Sequence, residues 1–185
     1  MAKAVLISVR PEWCEKIARG EKTVEVRKTR PKLETPFKCY VYRTKGTVPH
    51  IINGKWVQME VGGTIIAEFT CDRVKCIMEE QFVVKEDAEK ALEGSLMTIS
   101  QAKNYAKWKK GTPHYECKDL YGWHISNLKI YDTPKELTEF HTWGKCKSCS
   151  KSGYESTACI YDENCMVPVA ITKAPQSWCY VEELK

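Results

Sequence analysis

The chain has 185 residues, a length that one domain with a proper core accounts for without disulfide or metal staples. Hydrophobic residues make up 43% and charged residues 29%, which excludes a disordered chain, and no stretch has the length and apolarity expected of a transmembrane helix. A formal charge of +5 and a pI near 8.6 admit an anionic partner, nucleic acid included, but fall below the value of about 9 above which charge alone identifies one.

Residues 5–9 are an apolar, β-rich run that predicts a buried strand. Their apolar stretch is too short for a signal peptide, so a cytoplasmic chain is expected. The ten cysteines are then reduced thiols, to be read as small hydrophobes or metal ligands. Arg10-Pro11-Glu12 starts a helix, with Pro in the first turn and Glu12 and Glu15 at its positive end. Trp13, Cys14, Ile17 and Ala18 give it an apolar stripe, and Gly20 stops it. A strand over 22–27 follows, then a basic loop, Lys28-Thr29-Arg30-Pro31-Lys32, and a strand over 37–43. Residues 45–63 read as a hairpin or irregular loop, and Gly62-Gly63 introduces a strand over 64–71 that can run on through Val74. The middle of the chain is helical: a short helix over 87–92 closed by Gly94, and a second, capped by Thr98 or Ser100, around 102–108. A long strand over 121–131, a capped turn over 133–137, a Gly/Ser/Cys-rich segment over 144–164 and a terminal strand over 177–181 complete the chain. Strands dominate without an alternating βαβ rhythm, which argues against a doubly wound parallel sheet. The expected fold is mixed α+β, a closed or nearly closed β-barrel with the first helix at its mouth and other helices peripheral.

The polar residues of the second strand hold the functional interest. Thr23, Glu25 and Arg27 alternate onto one face, and Val24 and Val26 onto the other. Opposite charges on one strand face form either a structural salt bridge at the helix–strand junction or the wall of a polar cleft. In a cleft, Lys22 beside a carboxylate keeps its proton and contacts an anion, unless desolvation lowers its pKa enough to make it a general base. Glu25 can accept from an exocyclic amino group, and Arg27 offers a planar fork for phosphate or stacking. Arg10, Trp13, Trp123 and His124 form a second layer, in which a Trp either stacks a base or simply fills the core. Trp123 and His124 point to opposite faces of their strand, so at most one enters a cleft. The basic loop 28–32 adjoins this strand and can extend the surface, as can residues 107–110 with Trp108.

Taken in order, a strand, a short helix ending in Gly20-Glu21-Lys22-Thr23, and the strand Val24-Glu25-Val26-Arg27 resemble the opening of the ASCH family, small barrels of the PUA-like superfold. Gly63-Thr64-Ile65-Ile66-Ala67-Glu68-Phe69 resembles the family's central strand and Tyr121-Gly122-Trp123-His124-Ile125 its late one. The resemblance covers residues 4–140. The whole chain also resembles phage and prophage ASCH proteins of Gram-positive bacteria, whose cysteine-containing tails end in Pro-Gln-Ser-Trp, here 175–178. The family resemblance implies a cleft between the first helix and the barrel and an RNA or nucleotide partner, and the residues read above as candidates to line it are Arg10, Lys22, Thr23, Glu25, Arg27 and Trp123. A similar branch hydrolyses the acetyl amide of N4-acetylcytidine with a lysine, a threonine and a central-strand glutamate. By that likeness the catalytic residues of an enzyme here are Lys22, Glu25 and Glu68. Glu25 stands where that branch has its threonine and has no hydroxyl to offer, which favours binding over hydrolysis. A phage protein that sequesters a nucleotide or a host factor is the third alternative.

Cys146-Lys147-Ser148-Cys149 is a C-x2-C knuckle whose two thiolates can bite one tetrahedral ion. With Cys159 and Cys165 it predicts one closed, structural zinc site, and His141 is the substitute ligand. The expected organisation is a barrel over 1–140, a metal-binding segment over 141–170 and a terminal strand over 171–185 that returns to the barrel. No membrane partner is expected.

Overall fold

In the computed structural model, residues 3–79, 83–107, 118–145 and 166–184 are described. Strand β1 (Lys3–Val9) carries an unbroken apolar run over residues 4–7 because both of its faces are covered. Val5, Ile7 and Val9 join a core with Cys14 and Ile17 of helix α1 (Pro11–Ala18), whereas Ala4 and Leu6 face a second core with Tyr40, Tyr42 and Phe140. The helix begins on Pro11 and ends where Gly20 takes a φ of 74°, a left-handed angle that side chains resist.

Strands β2 (Val24–Arg27) and β3 (Phe37–Arg43) follow. Next come a separate two-stranded hairpin of β4 (Gly46–Ile52) and β5 (Lys55–Val61), then β6 (Thr64–Glu79) and the short β7 (Val83–Val84). Helices α2 (Ala88–Leu92) and α3 (Ile99–Ala106) precede β8 (Leu120–Lys135), and α3 starts in a capping box between Thr98 and Gln101. Strands β9 (His141–Lys145) and β10 (Met166–Ala170) form a second small ladder, and β11 (Trp178–Glu182) closes the chain.

The main sheet runs β11-β1-β3-β6-β8-β2, with β1 and β3 parallel and the other neighbours antiparallel. β6 and β8 are each 16 residues long, well beyond the strands read from sequence. Polar interruptions, Asp72-Arg73 in one and Asn127 in the other, fall at or beside register shifts and a positive φ, where the pair bends without parting. The bend carries β6 from the first core (Ala67, Phe69, Cys71) to another (Ile77, Met78), which α2 and α3 cover. Gly122 is required there: a Cβ would meet the carbonyl oxygen of Ala91 at 2.8 Å.

The fold is mostly β with few helices, and of the closed or nearly closed barrel expected from sequence the closed form is not found. Among the described residues no ladder joins β2 to β1 or β11, so the sheet is open. Side chains lace the gap instead. Arg27 of β2 donates to the Ser8 carbonyl of β1, Trp178 Nε1 donates to Thr29 Oγ1, and the Lys32 amide donates to the Tyr180 hydroxyl. Where β2 has no ladder partner on this side, the long guanidinium arm of Arg27 makes the link.

Cys146, Cys149, Cys159 and Cys165, and the cationic run with Trp108 over 108–110, lie outside the described residues.

Candidate functional site

Three charged side chains of the helix–strand junction come together inside the protein. Lys22, Glu25 and Arg27 are 4%, 8% and 7% exposed. Glu25 lies between the cations, with Oε2 3.4 Å from Lys22 Nζ and Oε1 3.0 Å from an Arg27 terminal nitrogen. Lys22 also donates to the carbonyls of Val24 (2.7 Å) and Ser95 (2.9 Å), and its ammonium lies over the Trp13 ring. All three of its N–H bonds therefore have an acceptor in reach. Burial lowers the Lys22 pKa below the usual lysine value, and Glu25 opposes that shift. Arg27 donates to Ser8 O at 2.6 Å and reaches the Ser177 carbonyl and hydroxyl at 3.4 Å, while its Nε is buried without a partner among the described residues. The salt bridge and the cleft wall set out from sequence are thus one cluster whose charges are largely spent on each other.

The surroundings come from distant parts of the chain. Glu25 faces Trp123 across the β2–β8 ladder, and Trp123 is wholly buried, edge-on to Phe37 and Trp178. Tyr105 of α3 lies within electrostatic reach of Arg27, Glu25 and Arg10; burial raises its pKa and Arg27 opposes the shift. Lys28 extends from the end of β2, places its ammonium 4.9 Å over the Tyr105 ring and donates to the Lys107 carbonyl. Ser8, Ser177 and Tyr105 were not among the expected site residues. No local pattern marks Ser8 or Tyr105, and Ser177 lies in the Pro-Gln-Ser-Trp segment at 175–178, which gave no role for it; each acts through a tertiary contact.

The remaining candidates lie apart from this cluster. Arg10 is at the exposed start of α1, 4.0 Å from Glu12. Thr23 packs against the Gly94 turn and lines a different cavity, with His124, which pairs with Asp72 at 2.6 Å. Glu68 faces the core of Tyr40 and Phe140, where it accepts from Tyr131 at 2.6 Å and sits 3.8 Å from Lys38. Lys22 and Glu68 thus belong to different clusters. Among the described residues no group of three or more His, Cys, Asp or Glu side chains is placed to hold a metal.

Beside the cluster, the basic loop lines an open cavity of about 910 Å³ with Lys28, Arg30, Lys32, Val74, Asp119 and Tyr121 on its walls. Arg30 lies 5.8 Å over the Tyr121 ring, and Tyr121 donates to Asp119 at 2.8 Å. Burial and that hydrogen bond push the Tyr121 hydroxyl up to about 12, so it stays a neutral donor near pH 7.

Cys14, on the inner face of α1, is pushed up to about 12, chiefly by burial. Cys71 is raised to about 12 for the same reason. At pH 8 their thiolate fractions should be roughly a thousandfold below that of an ordinary thiol. Mass-spectrometric mapping of iodoacetamide labelling should find both unmodified in the folded chain and modified after denaturation. Labelling of Cys14 at equal rates in both states would contradict its burial.

The ASCH domain profile matches residues 7–129, about two thirds of the chain. No curated protein matches at a significant level. The crystal structure of ASCH from Zymomonas mobilis superposes with a TM-score of 0.54 at 14% identity, covering 97% of this chain and 88% of that one. Two single-residue mutants of the same protein give TM-scores of 0.55 and 0.52, again at 14% identity, with 97% and 98% of this chain covered against 89% and 92% of theirs. At that identity the likeness is one of fold.

Proposed function

This chain belongs to the ASCH domain family, and from that premise we propose that it is an RNA- or nucleotide-binding module. The observation that carries the proposal is the cavity beside the buried cluster, where Lys28, Arg30 and Lys32 supply positive charge and Tyr121 an aromatic wall. Cations and a π-face on one concave surface are what a phosphate backbone with attached bases requires. The buried cluster then acts as the rigid floor that fixes where β2 ends and the loop begins. Burial of Lys22 beside Glu25 is also what a hydrolase would use. Three engaged N–H bonds and the separation from Glu68 favour binding over hydrolysis.

The proposal extends to one structural zinc on Cys146, Cys149, Cys159 and Cys165. The β9–β10 ladder supports it, because Lys145 pairs with Met166, the chain neighbours of Cys146 and Cys165.

The test is titration of a fluorescein-labelled single-stranded RNA, its duplex and free nucleotides at several salt concentrations, with product analysis alongside. Binding that weakens linearly in log–log form as salt rises is expected. Turnover without stable binding would favour the hydrolase, and neither binding nor turnover would remove both functions.

A further inference from the structure

The basic loop between β2 and β3 has little of its own to hold it. Residues 28–36 form no helix or strand, and among the described residues 29–35 make no backbone–backbone hydrogen bond. Pro31 is buried and Leu33 packs against the first core, but Thr29, Arg30 and Lys32 are exposed. Such a segment loses conformational entropy when a ligand fixes it, unless the protein has fixed it already. Here the fixing groups come from the other end of the chain. Trp178 Nε1 donates to Thr29 Oγ1 at 2.9 Å, and the Tyr180 hydroxyl accepts from the Lys32 amide at 2.7 Å. The second is the single hydrogen bond made by the main chain of 29–35 among the described residues.

The two aromatic anchors are themselves held rigidly. β11 pairs with β1, Trp178 opposite Ile7 and Tyr180 opposite Val5, so alternation puts both rings on one face. They meet edge-on at 5.3 Å, and Trp178 meets the buried Trp123 at 5.9 Å. Just upstream, Ser8 Oγ donates to the Pro175 carbonyl at 2.6 Å and the Ser8 amide to the Ser177 carbonyl at 2.9 Å. The Pro175-Gln176-Ser177-Trp178 segment is thus fastened to β1 on one side and to the loop on the other. Neither Trp178 nor Tyr180 lines the cavity that the loop builds. Their polar tips meet Thr29 and Lys32, on either side of Arg30, whose guanidinium lies over Tyr121. From this geometry we infer that Trp178 and Tyr180 are positioning residues, which hold the loop in the shape that gathers its cations on the cavity wall for a phosphate-bearing ligand. The inference rests on the RNA- or nucleotide-binding function proposed above.

Fluorescein-labelled single-stranded RNA is titrated at several salt concentrations against wild type, Tyr180→Phe, Trp178→Phe, Thr29→Val, Thr29→Ser and Trp178→Phe/Thr29→Val. Tyr180→Phe and Thr29→Val each remove one hydroxyl, so both should fold, and thermal melts check that they do. Each should weaken RNA binding roughly two- to tenfold, the share of one hydrogen bond. The salt slope should flatten as well, because cations no longer gathered make fewer phosphate contacts. Thr29→Ser should recover most of the affinity that Thr29→Val loses. The double variant should bind no worse than Trp178→Phe alone, since both changes remove the same bond. Without ligand, amide hydrogen exchange over 29–35 should be faster in Tyr180→Phe than in wild type. Additive losses in the double variant would make Thr29 a direct ligand contact and overturn the Trp178 anchor. Weaker binding with slope and exchange unchanged would overturn positioning in favour of a merely structural role. If Tyr180→Phe and Thr29→Val bind as wild type does while Lys28→Ala/Arg30→Ala/Lys32→Ala loses affinity, positioning is overturned and RNA binding stands. If wild type binds no RNA, both fall.

Discussion

Glu25→Ala is expected to lower the stability of the folded chain by about 3–5 kcal/mol, the usual cost of removing one partner from a buried ion pair. The carboxylate is the only acid between Lys22 and Arg27 in their cluster, and all three groups are nearly inaccessible to water. Its loss leaves two buried cations facing each other without a counter-charge. For a chain of this size the melting temperature should fall by roughly 10 °C. The pH dependence has a definite sign. Burial already depresses the Lys22 pKa, and Glu25 opposes that shift. Without Glu25 the folded-state pKa drops further below the unfolded value of 10.5. A depressed pKa weighs against folding at pH values below it, and the penalty disappears as pH rises to the unfolded value. The deficit of Glu25→Ala against wild type should therefore shrink between pH 7 and pH 10. Urea unfolding of both proteins across that range measures it. A deficit under about 1 kcal/mol at pH 7 would show that water reaches the cluster and screens it.

The largest functional effect should come from Lys28→Ala/Arg30→Ala/Lys32→Ala. These cations line the cavity from an exposed or half-buried loop, so their loss should leave folding nearly unchanged. Each phosphate contact on a single strand contributes about 0.7 to the slope of log affinity against log salt. Removing three contacts should flatten that slope by about 2 and reduce affinity at least roughly tenfold at moderate salt. Glu34 and Asp119 share the cavity wall, so the cations there also offset local negative charge. An unchanged slope would mean that the ligand is held elsewhere.

Comparison of Lys22 with Lys28 shows why one sequence motif has two physical parts. Both look like cleft cations when read along the chain. Lys22 turns inward to the carbonyls of Val24 and Ser95, the second of which is 73 positions away. Lys28 leaves the end of the strand and keeps its ammonium near the surface, over Tyr105. The difference is set by the 94–95 turn that docks on the start of β2, which no local pattern announces.

The sequence by itself determined the elements whose physics is local. β1 is legible because a strand covered on both faces needs an apolar run, and α1 because proline, acidic residues and glycine punctuate it, whereas residues 45–63 stayed open between a hairpin and an irregular loop. It also placed Glu25 and Arg27 on one strand face, since alternation follows from the pleat. Tertiary structure alone decided that the sheet stays open and is laced by Arg27, Trp178 and Tyr180, because that depends on how far a curled sheet brings its ends together. It also set Glu68 against Tyr131, away from Lys22. Partners 63 to 150 positions apart meet through packing of the whole chain, and no periodicity along the sequence encodes that distance.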